Sequence, residues 1–396
     1  MHFPEQPQSS PRRTTKRLAA LIQSHRRKTL VAILLSLPVI GTATFSAEIF
    51  AQDHPSCSPS TDRWLDEGIL RIAYRRDAVP FSYSRSALAA AHATAKRSNT
   101  DPPPPNASWE DAAGFSVDLC KEVLNTINDR RSASEHTPIK VMAYLVEPSE
   151  RFRRLAAGEF DMICGATSVT LQRTKCIDFS LFTFISGASF MYRTDDNLST
   201  LQDLVGRRVG VLIGGTSEHL LRQVLRDANV PVSDQSLEAQ TTVGSVALEN
   251  SVDVKHVPDY IGAMDMLLTK RTEDEGSRSI VSDGPAFELD ALFADREILM
   301  YLITRVFRKR PGVNPAYLTA SSLSFSYEPY AIAIRRENPL LRFYVNKTLL
   351  RLYSSDVITT IINGAFGPNR KSELLSSLYQ LQRIPEQRGV PVCEER

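Results

Sequence analysis

ERFRRLAAGEFDMICGATSVTLQRTKCIDFS, residues 150–180, holds three patterns in a fixed order. A short helix-like run, 151–157, stops at Gly158. An apolar run, 160–164, has strand character, and the chain then turns abruptly small and polar from Gly165 to Arg173. Helix, strand and polar strand end in succession are the unit of an α/β fold, whose ligands sit at strand ends. The same unit recurs outward. ILRIAY (69–74) is a β-rich run, Gly114 opens a helix with Val117, Cys120, Val123 and Leu124 on one face, and 139–146 is a strand. A second series begins with a helical turn at 201–204 and a strand at 208–213. Gly214-Gly215-Thr216-Ser217 then leads into a helix over 218–227. Helix 259–270, a charged loop and strand 279–282 follow, then strand 330–335 and helices over 340–352 and 355–364. Alternation of this kind implies mostly parallel sheets flanked by helices.

The expected architecture is two-lobed. Residues 65–187 with 331–385 make one lobe and 193–328 the other, joined where 188–192 and 330–334 run, so that the chain crosses the hinge twice. The segment 84–113, rich in Ala, Ser and Asn and containing the prolines of 102–105, is expected to be a mobile insertion with one Ala-rich helical turn. Residues 386–396 are a tail, and 287–326 has no assigned role.

With 396 residues, 42% hydrophobic and 23% charged, the chain is too apolar and too evenly charged to be disordered. The formal charge of +2 conceals an asymmetry. Seven basic and two acidic residues lie in the first 51, which leaves the remainder at −3 and without a basic stripe for nucleic acid. A basic stretch, an apolar run over 29–45 broken by Pro38 and Gly41, and small residues beyond it describe a secretory signal over 1–51, with an uncleaved anchor as the competing reading. Export permits disulfides, but five cysteines (Cys57, Cys120, Cys164, Cys176, Cys393) leave the pairing open, and Cys164 reads as a buried free thiol. No CxxC, HExxH or Gly-x-Ser-x-Gly occurs, and Gly210–Gly214 lacks the lysine of a phosphate loop, so neither metal nor catalytic motif is indicated.

The chemistry lies at four strand ends. Tyr74-Arg75-Arg76-Asp77, the run 165–173, and Gly214-Gly215-Thr216-Ser217-Glu218 supply hydroxyls, backbone N–H groups and arginines that hold carboxylates. Asp283-Gly284 supplies the opposite charge. Cations and hydroxyls facing a carboxylate match a zwitterion.

Three blocks, GFSVDLCKEV (114–123), the opening run 150–180, and VGVLIGGTSEHLL (209–221), resemble family-3 extracellular solute-binding proteins of amino-acid ABC transporters. YRRDAVPFSY (74–83) is most similar to the glutamate/aspartate-binding branch. The resemblance implies a type II periplasmic-binding-protein fold. It implies a monomer with no cofactor, which captures a polar amino acid in the periplasm and passes it to a membrane permease. It implies that Arg173 grips the ligand α-carboxylate, with Ser168 and the backbone of Gly165 and Ala166 beside it. Thr216 is then the donor from the second lobe, Asp283 takes the α-ammonium, and Arg75 reads an acidic side chain. Gly215 stands where acidic-ligand relatives carry Thr. A few relatives are secreted cyclohexadienyl dehydratases, so a lyase acting on a small carboxylate is the alternative, with Glu218 or Glu328 as its acid.

Overall fold

A computed structural model describes residues 62–93, 107–233, 250–268, 288–307, 314, 316–368 and 371–383. The expected signal and its basic stretch, Cys57, the strand at 279–282, Asp283, Cys393 and the tail lie outside the described residues. The described part belongs to one compact unit, Cys57–Arg396.

The chain starts with α1 (Arg63–Glu67), β1 (Ile69–Tyr74), β2 (Asp77–Ala78), β3 (Ser82–Ser84), α2 (Arg85–Ala93) and β4 (Ala112–Ala113). Next come α3 (Phe115–Ala133), β5 (Lys140–Leu145), α4 (Arg151–Ala156), β6 (Met162–Cys164) and β7 (Asp178–Ser186). Past Gly187 it continues as β8 (Ala188–Arg193), β9 (Arg208–Leu212), α5 (Ser217–Asp227), β10 (Val232–Ser233) and β11 (Val252–Val257). Then follow α6 (Tyr260–Leu268), β12 (Ala291–Asp295), α7 (Arg296–Tyr301) and β13 (Leu318–Ala320). Residues 321–327 lead back to β14 (Glu328–Ile334), α8 (Pro339–Tyr353), α9 (Val357–Phe366) and α10 (Glu373–Leu381).

Two large sheets result. The first has the order β5-β1-β6-β14-β7 and the second β10-β11-β9-β12-β8-β13, with a small sheet β2-β3-β4 beside the first. In the first, β1 pairs parallel with β5 (Ile69 opposite Lys140) and with β6 (Ile72 opposite Met162), while β14 runs antiparallel to β6 and β7. In the second, β10, β11, β9 and β12 are parallel, and β8 runs antiparallel to both its neighbours, β12 and β13. Each sheet therefore forms a lobe, and the chain passes between them at Gly187 and again at 321–327. Segments 188–192 and 330–334, expected to hold the joins, lie in β8 and β14 directly after these crossings, and the strand expected at 330–335 is β14. Phe190 and Met191 of one and Ile332 and Ile334 of the other are buried in the sheets, which leaves the crossings to Gly187 and the serine-rich run 321–327.

Two expectations are corrected. The single Ala-rich turn expected in 84–113, of which 84–93 and 107–113 are described, is longer than one turn. Arg85–Ala93 is a full helix, and Ser84 pairs with Ala112 to close the small sheet. Asp111 anchors the entry, accepting from the Ser86 amide at 2.8 Å and from its hydroxyl at 2.9 Å. Cys164 is no free thiol. It bonds to Cys120, 44 residues earlier, whereas Cys176 is free and exposed. Cys120 lies on the buried face of α3 with Val117 and Val123, so the apolar face predicted from sequence also brings its sulfur to the end of β6.

Glycine fixes where α3 starts. Gly114 has φ +113°, and a Cβ there would stand 2.6 Å from the Phe81 carbonyl carbon and oxygen. That approach lets the Phe115 and Ser116 amides donate to the Pro80 and Phe81 carbonyls, each at 2.9 Å. Ser116 Oγ then donates to the Gly165 carbonyl at 3.1 Å. Helix α3 thus holds the loop after β6 at two points, the serine bond and the disulfide.

Candidate functional site

The loops after β1, β6 and β9 and the C-terminal end of β12 surround a cavity of about 20 Å³, room for a water or two. Both lobes contribute to its wall. A larger open groove of about 380 Å³ between α3 and α8 is lined mainly by solvated side chains such as Lys347 and Arg351 and gathers no buried polar group.

Three arginines meet in the first lobe's half. Arg75, directly after β1, is only 4% exposed. Its Nη2 donates to Asp77 Oδ1 at 3.0 Å, and its guanidinium lies 6.0 Å from the Tyr260 ring centroid. Arg173 sits in the turn after the small polar loop, and its Nη1 donates to the Ser168 carbonyl at 2.6 Å. Arg151, the first residue of α4, is 3% exposed and donates to the Pro148 carbonyl. The Phe152 ring lies 4.4 Å from the Arg173 guanidinium and 4.3 Å from that of Arg151, so one aromatic face system serves two cations. Burial first, then the charges of Arg75 and Arg173, pull the Arg151 pKa well below its usual value. Burial likewise lowers that of Arg173, while Glu328 and Asp295 oppose the shift. Among the described residues, Nε of both Arg75 and Arg151 is buried with no hydrogen-bond partner. Such a cluster holds unspent donors and excess positive charge, both of which an anionic group relieves.

The second lobe supplies the negative charge. Asp295 ends β12 and lines the cavity. Burial, then the neighbouring charge of Glu328, raises its carboxyl to about 7. Tyr260 lines the same wall, and its phenol is raised by burial and then by Asp295. Thr216 precedes α5, and its hydroxyl donates to Glu328 Oε2 at 2.6 Å across the lobes. Gly214 completes the contact. It has φ +73°, and a Cβ there would lie 2.6 Å from Ser149 Cα, so the loop after β9 seats on the loop before α4 only as glycine.

Arg75, Ala166, Ser168, Arg173 and Thr216, all anticipated from sequence, line this one cavity. Gly165 backs it, with its Cβ position 3.6 Å from Arg75 Cγ and its carbonyl taken by Ser116. Asp283 lies outside the described residues, and among the described residues the carboxylate that lines the cavity is Asp295. Sequence reasoning missed both Asp295 and Arg151. Of the two glutamates considered as acids, Glu328 stands at the crossing beside Thr216, whereas Glu218 lies 2.5 Å from His256 Nε2 on the half-exposed face of the second lobe. Burial works to raise the Glu218 carboxyl, but His256 and Arg222 together hold it below its ordinary value.

A family model for bacterial extracellular solute-binding proteins, family 3, matches residues 98–368. The chain belongs to that family. It is similar to the L-glutamate/L-aspartate-binding protein of Pseudomonas aeruginosa, at 26% identity over 198 residues, half of this chain and 53% of that one. It is also similar to a general L-amino acid-binding periplasmic protein of Rhizobium johnstonii, at 27% identity over 44% of this chain and 48% of that one. The chain spans about half the length of these curated relatives, both of which are named as binding proteins. Among solved structures, a mutant of ArgBP from T. maritima superposes with TM-score 0.52 at 20% identity, covering 77% of this chain and 98% of that one. The ancestral amino acid-binding protein AncCDT-1, a precursor of cyclohexadienyl dehydratase, gives 0.50 at 18% identity, covering 77% and 98%. These likenesses establish the two-lobed type II periplasmic-binding-protein fold. Among the described residues no helix is long and apolar enough to cross a membrane.

Proposed function

We propose that the chain is a periplasmic solute-binding protein that closes its lobes on an acidic amino acid, glutamate or aspartate, and delivers it to an ABC permease. The observation that carries this reading is the convergence of Arg75, Arg151 and Arg173 opposite Asp295 in one interlobe cavity. Asp295 takes the α-ammonium and Arg173, with Ser168, the α-carboxylate. Arg75 is already matched by Asp77, so Arg151 is left as the cation for a side-chain carboxylate. The balance suits a ligand of net charge −1 better than a neutral or cationic one. The glutamate/aspartate-binding relative supports this choice, and the likenesses to solved structures bear on architecture alone. The small cavity requires the lobes to part for entry, a hinge motion through Gly187 and 321–327.

A lyase reading has one observation in its favour. Asp295 holds a proton up to near-neutral pH, as a general acid must. Thermal-shift measurements with a panel of amino acids and small carboxylates test both readings when products are followed in parallel. L-glutamate and L-aspartate are expected to raise the melting temperature, the effect is lost in Arg173→Met, and no product forms. Stabilisation by neutral or basic amino acids alone overturns the acidic assignment, and turnover of a bound carboxylate overturns the transport role.

A further inference from the structure

Asp77 is 1% exposed, and its two carboxylate oxygens are held by different lobes. Oδ1 accepts from Arg75 Nη2 at 3.0 Å inside the first lobe. Oδ2 accepts from the backbone N–H of Tyr260, the first residue of α6 in the second lobe. The opening N–H groups of a helix have no partner within it. Helix α6 meets part of that need itself, since Asp259 Oδ1 accepts from the Gly262 amide at 2.6 Å. The Tyr260 amide is met from across the cleft. The same Tyr260 presents its ring to Arg75, so one pair of adjacent lobe surfaces carries an ion pair, a helix cap and a cation–π contact. None of these contacts includes the ligand.

We propose that Asp77 is an interlobe latch: a first-lobe carboxylate that caps second-lobe helix α6 when the cleft is shut and fixes Arg75 in the cavity wall. Closure and the posture of Arg75 are thereby set together, and the closed form is favoured before any ligand arrives. A ligand then finds more of the competent state populated, and its apparent affinity rises in proportion. The inference rests on reading the cavity as a ligand site closed by two lobes, but not on which amino acid enters it.

Hydrogen exchange read by mass spectrometry on the ligand-free full-length chain tests the latch. In Asp77→Ala, peptides covering the first turn of α6 are expected to exchange at least tenfold faster. So are peptides covering Pro148 and Ser149, which make the separate interlobe contact with Gly214. Asp77→Asn keeps an oxygen for the Tyr260 amide, so both regions are expected to change less than threefold. Deleting Asp77 alone leaves a buried arginine without its partner, which is costly. The same measurement on Arg75→Met/Asp77→Ala removes both charges, and peptides of α8 and α10 report global stability. Faster exchange confined to α6, or none in either region while α8 and α10 stay protected, overturns the latch. Calorimetry with a panel of amino acids on the unaltered chain is the separate check. Failure to bind any amino acid defeats the functional reading and leaves the exchange result to stand alone.

Discussion

Arg151 brings a positive charge into the first turn of α4, where free N–H groups already make the potential positive, and it does so almost fully buried. The Pro148 carbonyl and the Phe152 ring offset only part of that cost, so the remainder points to a compensating anion. Arg151→Met keeps the bulk of the side chain and removes the charge. A charge-assisted hydrogen bond contributes about 1.5–3 kcal/mol, so the affinity for L-glutamate is expected to fall at least tenfold. L-glutamine is expected to lose less than threefold, and equal losses would show that Arg151 does not read the side chain. Asp295 makes a second prediction. Its folded pKa, about 7, lies above the ordinary aspartate value of about 3.9. The ligand-free native state therefore keeps this proton to higher pH than the unfolded chain. The stability linked to it is present at low pH and lost as pH rises from about 4 to about 7. Asp295→Asn abolishes that loss, so its melting temperature is expected to gain on the parent's across this window, as pH-series calorimetry reads. A parallel pH profile for both chains contradicts the assignment. Sequence reading found Arg173, Ser168 and Thr216 because they sit in a dense run of small polar residues after an apolar strand. It missed Arg151 because ERFRR looks like a solvated helix face, although a cation at a helix start was the available signal.

Elements position these residues, and the loop after β6 shows how. Helix α3 holds it by Ser116 on the Gly165 carbonyl and by the Cys120–Cys164 bond. Replacing both cysteines by alanine is expected to lower stability by about 2–4 kcal/mol and to weaken glutamate binding, since Ala166 and Ser168 follow Cys164 directly. Chemical denaturation and calorimetry together check this, and unchanged affinity would mean the loop needs no such tether. Gly214→Ala acts on closure. Its Cβ meets the Ser149 backbone at 2.6 Å, so affinity is expected to drop at least tenfold, on top of the about 1–2 kcal/mol that alanine's left-handed φ takes from stability and that the denaturation midpoint reads. The helices and strands around these loops were legible wherever apolar period and glycine stops coincided, as in α3, β6, β9 and α5. Strand β12 was not, because ALFAD is a short run, buried through Ala294 and without alternation, and periodicity does not separate such a run from a buried helix. Missing β12 also meant missing Asp295, whereas the anticipated Asp283 lies outside the described residues. The sulfur pairing was hidden for a related reason, since only the packing of α3 on β6 brings Cys120 to Cys164.

At the scale of the whole molecule, two sheets built from interleaved stretches of one chain face each other through strand ends of opposite charge. The first lobe contributes arginines, the second Asp295, and Gly214, Thr216 and Tyr260 make the contacts that shut the cavity. The two-lobed plan was legible in the alternation of helices and strands. The crossings lie at Gly187 and 321–327, a few residues before the segments 188–192 and 330–334 expected to hold them. Closure around a charged ligand is the central claim, and it is tested most directly by titrating L-glutamate and L-glutamine calorimetrically into the same full-length chain near neutral pH. The arginine cluster predicts binding of L-glutamate at least tenfold tighter than L-glutamine, with proton release from Asp295 seen as a heat that varies with the buffer. Equal affinity for the two, or tighter binding of L-glutamine, would contradict it.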